Sequence, residues 1–330
     1  MKKLITLLFV LLLAISVVAC TPATDDPAPT DETPEETPAA EEPAPAEETP
    51  TTEIENLEVQ LIPSRDAAVL DAQRGPLQTM LEEKLGMPVN VTVATDYTGL
   101  IEAMKSEKVH VGFLAPASYV LAADQGAAEV VVVSTRYDVD DEGNRLEDQP
   151  LVTSYRAQLL AGKDSGIKSV EDLKGKKIAI ASFTSTSGFL YPANLLADAG
   201  LDVENDVEWF EAGGHDKAIL AILEGQVDAA FTFKDARELL QEDYPDIREE
   251  VVFVTDTEPI FNDTISVIPS MDPELKAKIK QAFIDIAATE EGHEIVQAIY
   301  NHEGYAEATD ADFNTIREYL KRQENWEIGK

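Results

Sequence analysis

The chain has 330 residues, 44% of them hydrophobic and 27% charged, which is enough apolar material for one large or two medium domains with proper cores. Its formal net charge is −37, and the acidic balance continues past the N-terminal segment, which argues against nucleic acid and anionic membrane surfaces as partners. A single cysteine, Cys20, excludes an internal disulfide, a thiolate metal cluster and a redox pair.

Residues 1–19 read as a secretory signal: Lys2 and Lys3, a run from Leu4 to Ile15 that is apolar but for Thr6, then Ser16-Val17-Val18-Ala19. The run is short for a bilayer span of about 20 residues. Val17-Val18-Ala19-Cys20 resembles the bacterial lipobox, in which the chain is cut before the cysteine and its sulfur carries a diacylglyceryl group; the alternative is an uncleaved anchor. Residues 20–56 contain no Lys or Arg and repeat Pro, Glu, Thr and Ala, as in EETPAAEEPAPAEETPTTE. Such a segment cannot bury enough apolar area to offset its ordering entropy, so it reads as an extended acidic tether with a reach on the order of 100 Å.

From residue 57 onward short apolar runs alternate with amphipathic stretches, the pattern of a βα architecture with mostly parallel sheets. LEVQLI (57–62), VNVTVA (89–94), VHVGFL (109–114) and EVVVVS (129–134) are predicted strands, with helices between them such as YTGLIEAMKSEK. Residues 135–150, TRYDVDDEGNRLEDQP, read as a polar surface excursion of hairpin type. SYRAQLLAG (154–162) then crosses to a second lobe containing KKIAIA (176–181), VEWFEA, VDAAFTF (227–233) and VVFVTD. A final strand, TISVIP (264–269), is followed only by helices at 272–288, 291–300 and 310–322. The expected organisation is two α/β lobes: a discontinuous first lobe of 57–154 plus 264–330, and a second of 155–263.

No fixed-period repeat, Walker GxxxxGK[ST], GxGxxG after a strand, HExxH or GxSxG is present. Two strand-to-helix corners stand out instead. In SFTSTSGFLYP, Ser185, Thr186 and Ser187 sit where a helix begins, and the first turn of a helix offers unpaired N–H groups and positive partial charge to an anion. One hydroxyl makes an ordinary cap and several exceed one, so the row is either an overbuilt cap or an anion cradle. In GGHD, His215 stands at a second corner of this kind, as an oxyanion donor or as a structural hydrogen-bonding residue. Neither motif decides by itself.

Four blocks together supply a resemblance: ATDYTGLIEAMKSEKVHVGFLAPASYVLA (94–122), STSGF (185–189), GGHDKAILAILEGQVDAAF (213–231) and PIFNDT (259–264). In this order they resemble the phosphate, phosphite and phosphonate-binding proteins of ABC importers, the PhnD-like family, over residues 57 to about 300. The resemblance implies a type II periplasmic-binding-protein fold, two α/β lobes joined by two crossing segments and closing on a ligand in the cleft. It further implies that Tyr97, Ser185, Thr186, Ser187 and His215 hold the oxyanion, that Tyr155 closes the other side, and that Asp235 and Asp263 face the rest of the ligand or its protonated oxygen. Asp235 stands where amino-phosphonate binders carry glutamate, with Lys234 beside it, so an ammonium-recognising pocket does not follow.

The implied function is that of a monomeric lipoprotein on the extracytoplasmic face of the cell membrane. It would capture a small phosphorus oxyanion with neutral donors and helix termini, close by a hinge motion and hand its ligand to a membrane permease, with no cofactor, no metal and no bond made or broken. The alternatives are a sensory lipoprotein signalling to a membrane partner, and an enzyme on the same two-lobe fold. Against the enzyme, no nucleophile and base stand at usable spacing, and the one cysteine is the lipidation candidate.

Overall fold

A computed structural model of the protein describes residues 52–141 and 143–328; the leader, Cys20 and the tether up to residue 51 lie outside the described residues. β1 (Leu57–Leu61) buries Leu57, Val59 and Leu61 at alternate positions, the period of a strand with one face on a core. α1 (Ala67–Leu85) begins where the Asp66 carboxylate accepts the Ala68 and Val69 N–H groups, and ends at Gly86, whose φ of 68° makes the left-handed cap. β2 (Val89–Val93), α2 (Tyr97–Lys105), β3 (Val111–Leu114), α3 (Pro116–Asp124) and β4 (Glu129–Thr135) follow. The segment after β4 is a hairpin, as expected: it is closed by bridges between Arg136 and Val152 and between Val139 and Arg145.

The chain then crosses through β5 (Ser154–Tyr155) into a second sheet. Its elements are β6 (Ala157–Gly162), β7 (Lys176–Ile180), α4 (Tyr191–Asp198), β8 (Val207–Glu211), α5 (His215–Leu223), β9 (Ala229–Phe233), α6 (Ile247–Glu250) and β10 (Val251–Asp256). The strand order is β10-β6-β9-β7-β8, parallel from β9 to β8 and antiparallel on either side of β6. Period-two alternation feeds both faces: Ile178 and Ile180 join one buried cluster with Phe189 and Phe231, while Ala179 joins the opposite one with Leu160 and Ile219.

β11 (Ile260–Phe261) returns beside β5, with Ile260 opposite Tyr155 and Phe261 opposite Ser154, so the two crossings run as one antiparallel ribbon. β12 (Thr264–Val267) inserts between β3 and β4, and α7 (Pro273–Ala287), α8 (Glu290–Tyr300), β13 (Gly304–Ala306) and α9 (Asn314–Gln323) complete the chain. The first sheet is therefore ordered β13-β4-β12-β3-β1-β2.

Three expectations are corrected. TISVIP is not the last strand: β13 adds an edge against β4, and at three residues it is too short to carry a periodic signal. Order begins before residue 57, because the Thr52 N–H donates to the Ser270 carbonyl and Thr52 bridges Met271. The C-terminal segment does not stay with the first sheet. Arg317 pairs with Asp124 of α3 at 2.8 Å, but further along the same helix Arg322 pairs with Asp198 of α4 at 2.6 Å, and Trp326 and Ile328 pack against the second sheet's core. An amphipathic helix shows in sequence that it has an apolar face, not which of two cores receives it.

Candidate functional site

Three strand-to-helix corners point their helix starts at one cavity. At the first, after β2, the Asp96 carboxylate accepts the Gly99 N–H at 2.7 Å and sets Tyr97 at the first position of α2. At the second, after β7, Ser185 caps the following turn, its Oγ accepting the Gly188 N–H at 3.1 Å. That turn is wide: the Leu190 N–H reaches the Ser185 carbonyl and the Tyr191 N–H the Thr186 carbonyl, five residues back. Pro192 accounts for this, since it offers no N–H and its ring crowds the carbonyl four residues earlier. Gly188 is required here, because a Cβ would stand 2.9 Å from Ser185 Oγ and 3.1 Å from the Ala181 nitrogen. At the third corner, after β8, Gly213 takes a φ of 78° and delivers His215 to the start of α5.

The cavity, narrow at about 40 Å³, is lined from these corners by Tyr97, Ser185, Ser187 and His215, and from the crossing ribbon and its continuation by Tyr155 and Asp263. Ser185 lies beside the Tyr97 hydroxyl, and Ser187 beside that of Tyr155. Desolvation raises the phenols of Tyr97, Tyr155, Tyr300 and Tyr305, and the Asp263 carboxylate adds to the rise in each. They are therefore neutral hydroxyl donors at physiological pH. Burial takes the His215 imidazole down to about 4, against the opposing pull of Asp263. This ring too is neutral, with Nδ1 buried and unpaired, its edge on Phe233, and its backbone N–H donating to the Ser64 carbonyl of the other lobe at 3.1 Å. What the arrangement presents is a set of hydroxyls, an imidazole, the arginines Arg65 and Arg136 and helix N-termini around one lining carboxylate among the described residues, an array of donors suited to an anion.

Residues 59–313 match the family model for the ABC-transporter periplasmic phosphonate substrate-binding protein. The chain belongs to this family. It is a family of binding components rather than enzymes, and its members work outside the cytoplasm as the substrate-binding part of an ABC importer. The phosphate-import protein PhnD of Mycolicibacterium smegmatis is 27% identical over 288 residues, covering 80% of this chain and 84% of its own. The phosphonates-binding periplasmic protein of Escherichia coli K12 is 25% identical over 247 residues, covering 74% and 70%. Among solved structures, a binding component of an ABC phosphonate transporter from Pseudomonas aeruginosa superposes with a TM-score of 0.70 at 20% identity, over 82% of this chain and 86% of its own. PhnD1 of Prochlorococcus marinus, solved with methylphosphonate, gives 0.70 at 17%, over 82% and 99%. The fold is thus the two-lobed periplasmic-binding-protein fold with two mixed sheets.

Of the eight ligand residues expected in this binding protein, six line the cavity and two do not. Thr186 is fully buried and turned away, its Oγ1 accepting the Ala117 N–H at the start of α3. Asp235 is buried behind the wall, with Oδ1 3.7 Å from Arg136 Nη2 and Oδ2 3.5 Å from Asn301 Nδ2. Lys234, its neighbour, is spoken for by Asp141 at 2.8 Å and Asp256 at 2.7 Å. Residues that the sequence reading did not single out also line the cavity: Ser64, Arg65, Arg136, Phe233, Tyr300 and Asn301. Ser64 could have been found, because LIPSRD is a strand-to-helix corner with a hydroxyl, like the two that were read. Arg136 could not, since it opens a hairpin whose composition is that of a surface loop. Arg65 and Arg136 also mean that the lining is not built from neutral donors alone.

Proposed function

We propose that this binding protein captures a small phosphorus oxyanion, phosphate, phosphite or a small phosphonate, between its lobes and delivers it to a membrane permease, while lipidated Cys20 and the acidic tether hold it at the extracytoplasmic face of the membrane. The observation that carries the reading is the convergence of three helix starts, with Tyr97, Ser185, Ser187 and His215, on a cavity that also contains the Asp263 carboxylate. Helix N-termini and hydroxyls favour an anion. A carboxylate among them disfavours a fully deprotonated one such as sulfate and favours one with a P–OH proton to donate. The relatives support the class: one is named for phosphate import, another for phosphonates, and a structure of the same fold holds methylphosphonate. Tyr97, Tyr155, Ser185, Ser187 and His215 donate to the oxyanion and Asp263 accepts from it.

The test is calorimetry and thermal shift on residues 52–330 with phosphate, phosphite, methylphosphonate and 2-aminoethylphosphonate, with sulfate as control. Binding of at least one phosphorus ligand is expected, with sulfate at least 100-fold weaker. His215→Ala combined with Ser185→Ala abolishes the heat. Absence of heat and of stabilisation with all four ligands, or sulfate binding as tightly as any of them, rejects the reading.

A further inference from the structure

The side chain of Arg136 is 8% exposed and its guanidinium lines the cavity, yet the pairing it receives is poor for a buried cation. Nε is buried without a hydrogen-bond partner. The carboxylate at hand, that of Asp235, stands at 3.7 Å, beyond hydrogen-bond reach, and its other oxygen is turned to Asn301. A guanidinium offers five N–H donors, and burying it half-satisfied is costly. The position is nevertheless well built. The backbone of Arg136 exchanges both hydrogen bonds with Val152 at 3.0 and 2.9 Å, and the guanidinium carbon lies 5.3 Å from the centre of the Tyr155 ring and 5.6 Å from that of Phe233. The guanidinium is thus placed against two aromatic rings that themselves line the cavity, with Nε left without an acceptor among the described residues.

We propose that Arg136 is a ligand-contacting residue that supplies a charged, planar donor pair to the bound anion, and that Asp235 is its positioning partner rather than a ligand residue. This rests on the oxyanion reading above. It accounts for Asp235 standing behind the wall: the carboxylate offsets part of the cost of burying the cation without occupying its donor face, and the anion completes the pairing when it enters. It also fixes the sign of that wall, which shows the ligand a cation and not a carboxylate.

The rival account is purely structural, with Arg136 present only to neutralise Asp235. Three variants separate the two by calorimetry with inorganic phosphate and methylphosphonate, and by melting without ligand. On our account Arg136→Gln weakens the better-bound ligand about 10- to 100-fold. Arg136→Lys recovers only part of this, because an ammonium cannot present the fork. The pair Arg136→Gln with Asp235→Asn, which leaves no buried charge, melts no lower than the parent and binds as weakly as Arg136→Gln alone. If the double variant regains affinity within threefold of the parent, the role is structural and the proposal is overturned. It is overturned equally if the double variant melts more than about 5 °C lower, a result that needs no ligand at all and so stands even if every phosphorus compound fails to bind.

Discussion

Thr186 Oγ1 accepts a hydrogen bond from the Ala117 N–H at 2.7 Å, joining the wide turn after β7 in one lobe to the first turn of α3 in the other. Both groups are buried, so the bond is a latch between lobes made where the cavity closes. An unpaired buried N–H costs about 1–3 kcal/mol. Thr186→Val, which keeps the shape and removes the acceptor, is expected to release ligand about tenfold faster or more, with Thr186→Ser within threefold of the parent. Stopped-flow fluorescence of Trp209 and Trp326 would read this, and an unchanged off-rate would show that the bond survives opening of the lobes.

Tyr97 and Tyr155 both line the cavity and set their hydroxyls beside Ser185 and Ser187 respectively. Each change to Phe removes one neutral donor, worth about 0.5–1.5 kcal/mol, or roughly a 2- to 12-fold rise in Kd. The double change is expected to cost at least the product of the two. Titration calorimetry on proteins with unchanged melting would establish it.

His215 predicts an acid-sensitive fold. The unfolded chain takes up this proton near 6.5, while burial holds the folded imidazole to about 4. Stability present above pH 6.5 is therefore lost as pH falls from 6.5 toward 4, by about 3 kcal/mol if the whole shift is realised. His302, also lowered by burial, acts in the same direction. Urea titrations at pH 7.5, 6.0 and 5.0 should show the decline, and His215→Gln should flatten it. A parallel decline in that variant would exclude His215 as its source.

Cys20→Ala is expected to move the protein from the membrane fraction to the soluble extracytoplasmic fraction, with ligand binding by the folded lobes unaltered. Fractionation and immunoblotting decide it, and retention at the membrane would favour the uncleaved anchor.

Much of the fold is legible in the chain because it is local. Alternation of Leu57, Val59 and Leu61 against α1, the Asp66 cap and the Gly86 stop each depend on a few neighbouring residues, and they recur from one βα unit to the next. The edge strand β13 and the tether's end at Thr52 were hidden because each owes its place to a partner far along the chain, β4 and Ser270 respectively.

The same boundary runs through the site. By itself the sequence determined that hydroxyls at 185–187 and an imidazole at 215 would stand at helix starts, since glycine, serine and strand-to-helix spacing act over one turn of chain. Only the tertiary structure decided that Ser185 and Ser187 face the cavity while Thr186 faces Ala117, because Pro192 widens the turn and α3 supplies the donor. It also decided the charges. Asp235 is withdrawn from the cavity and Arg136 lines it because a hairpin of one lobe packs against the end of β9 in the other, and the pairing of buried charges is set by such packing and not by neighbours in sequence.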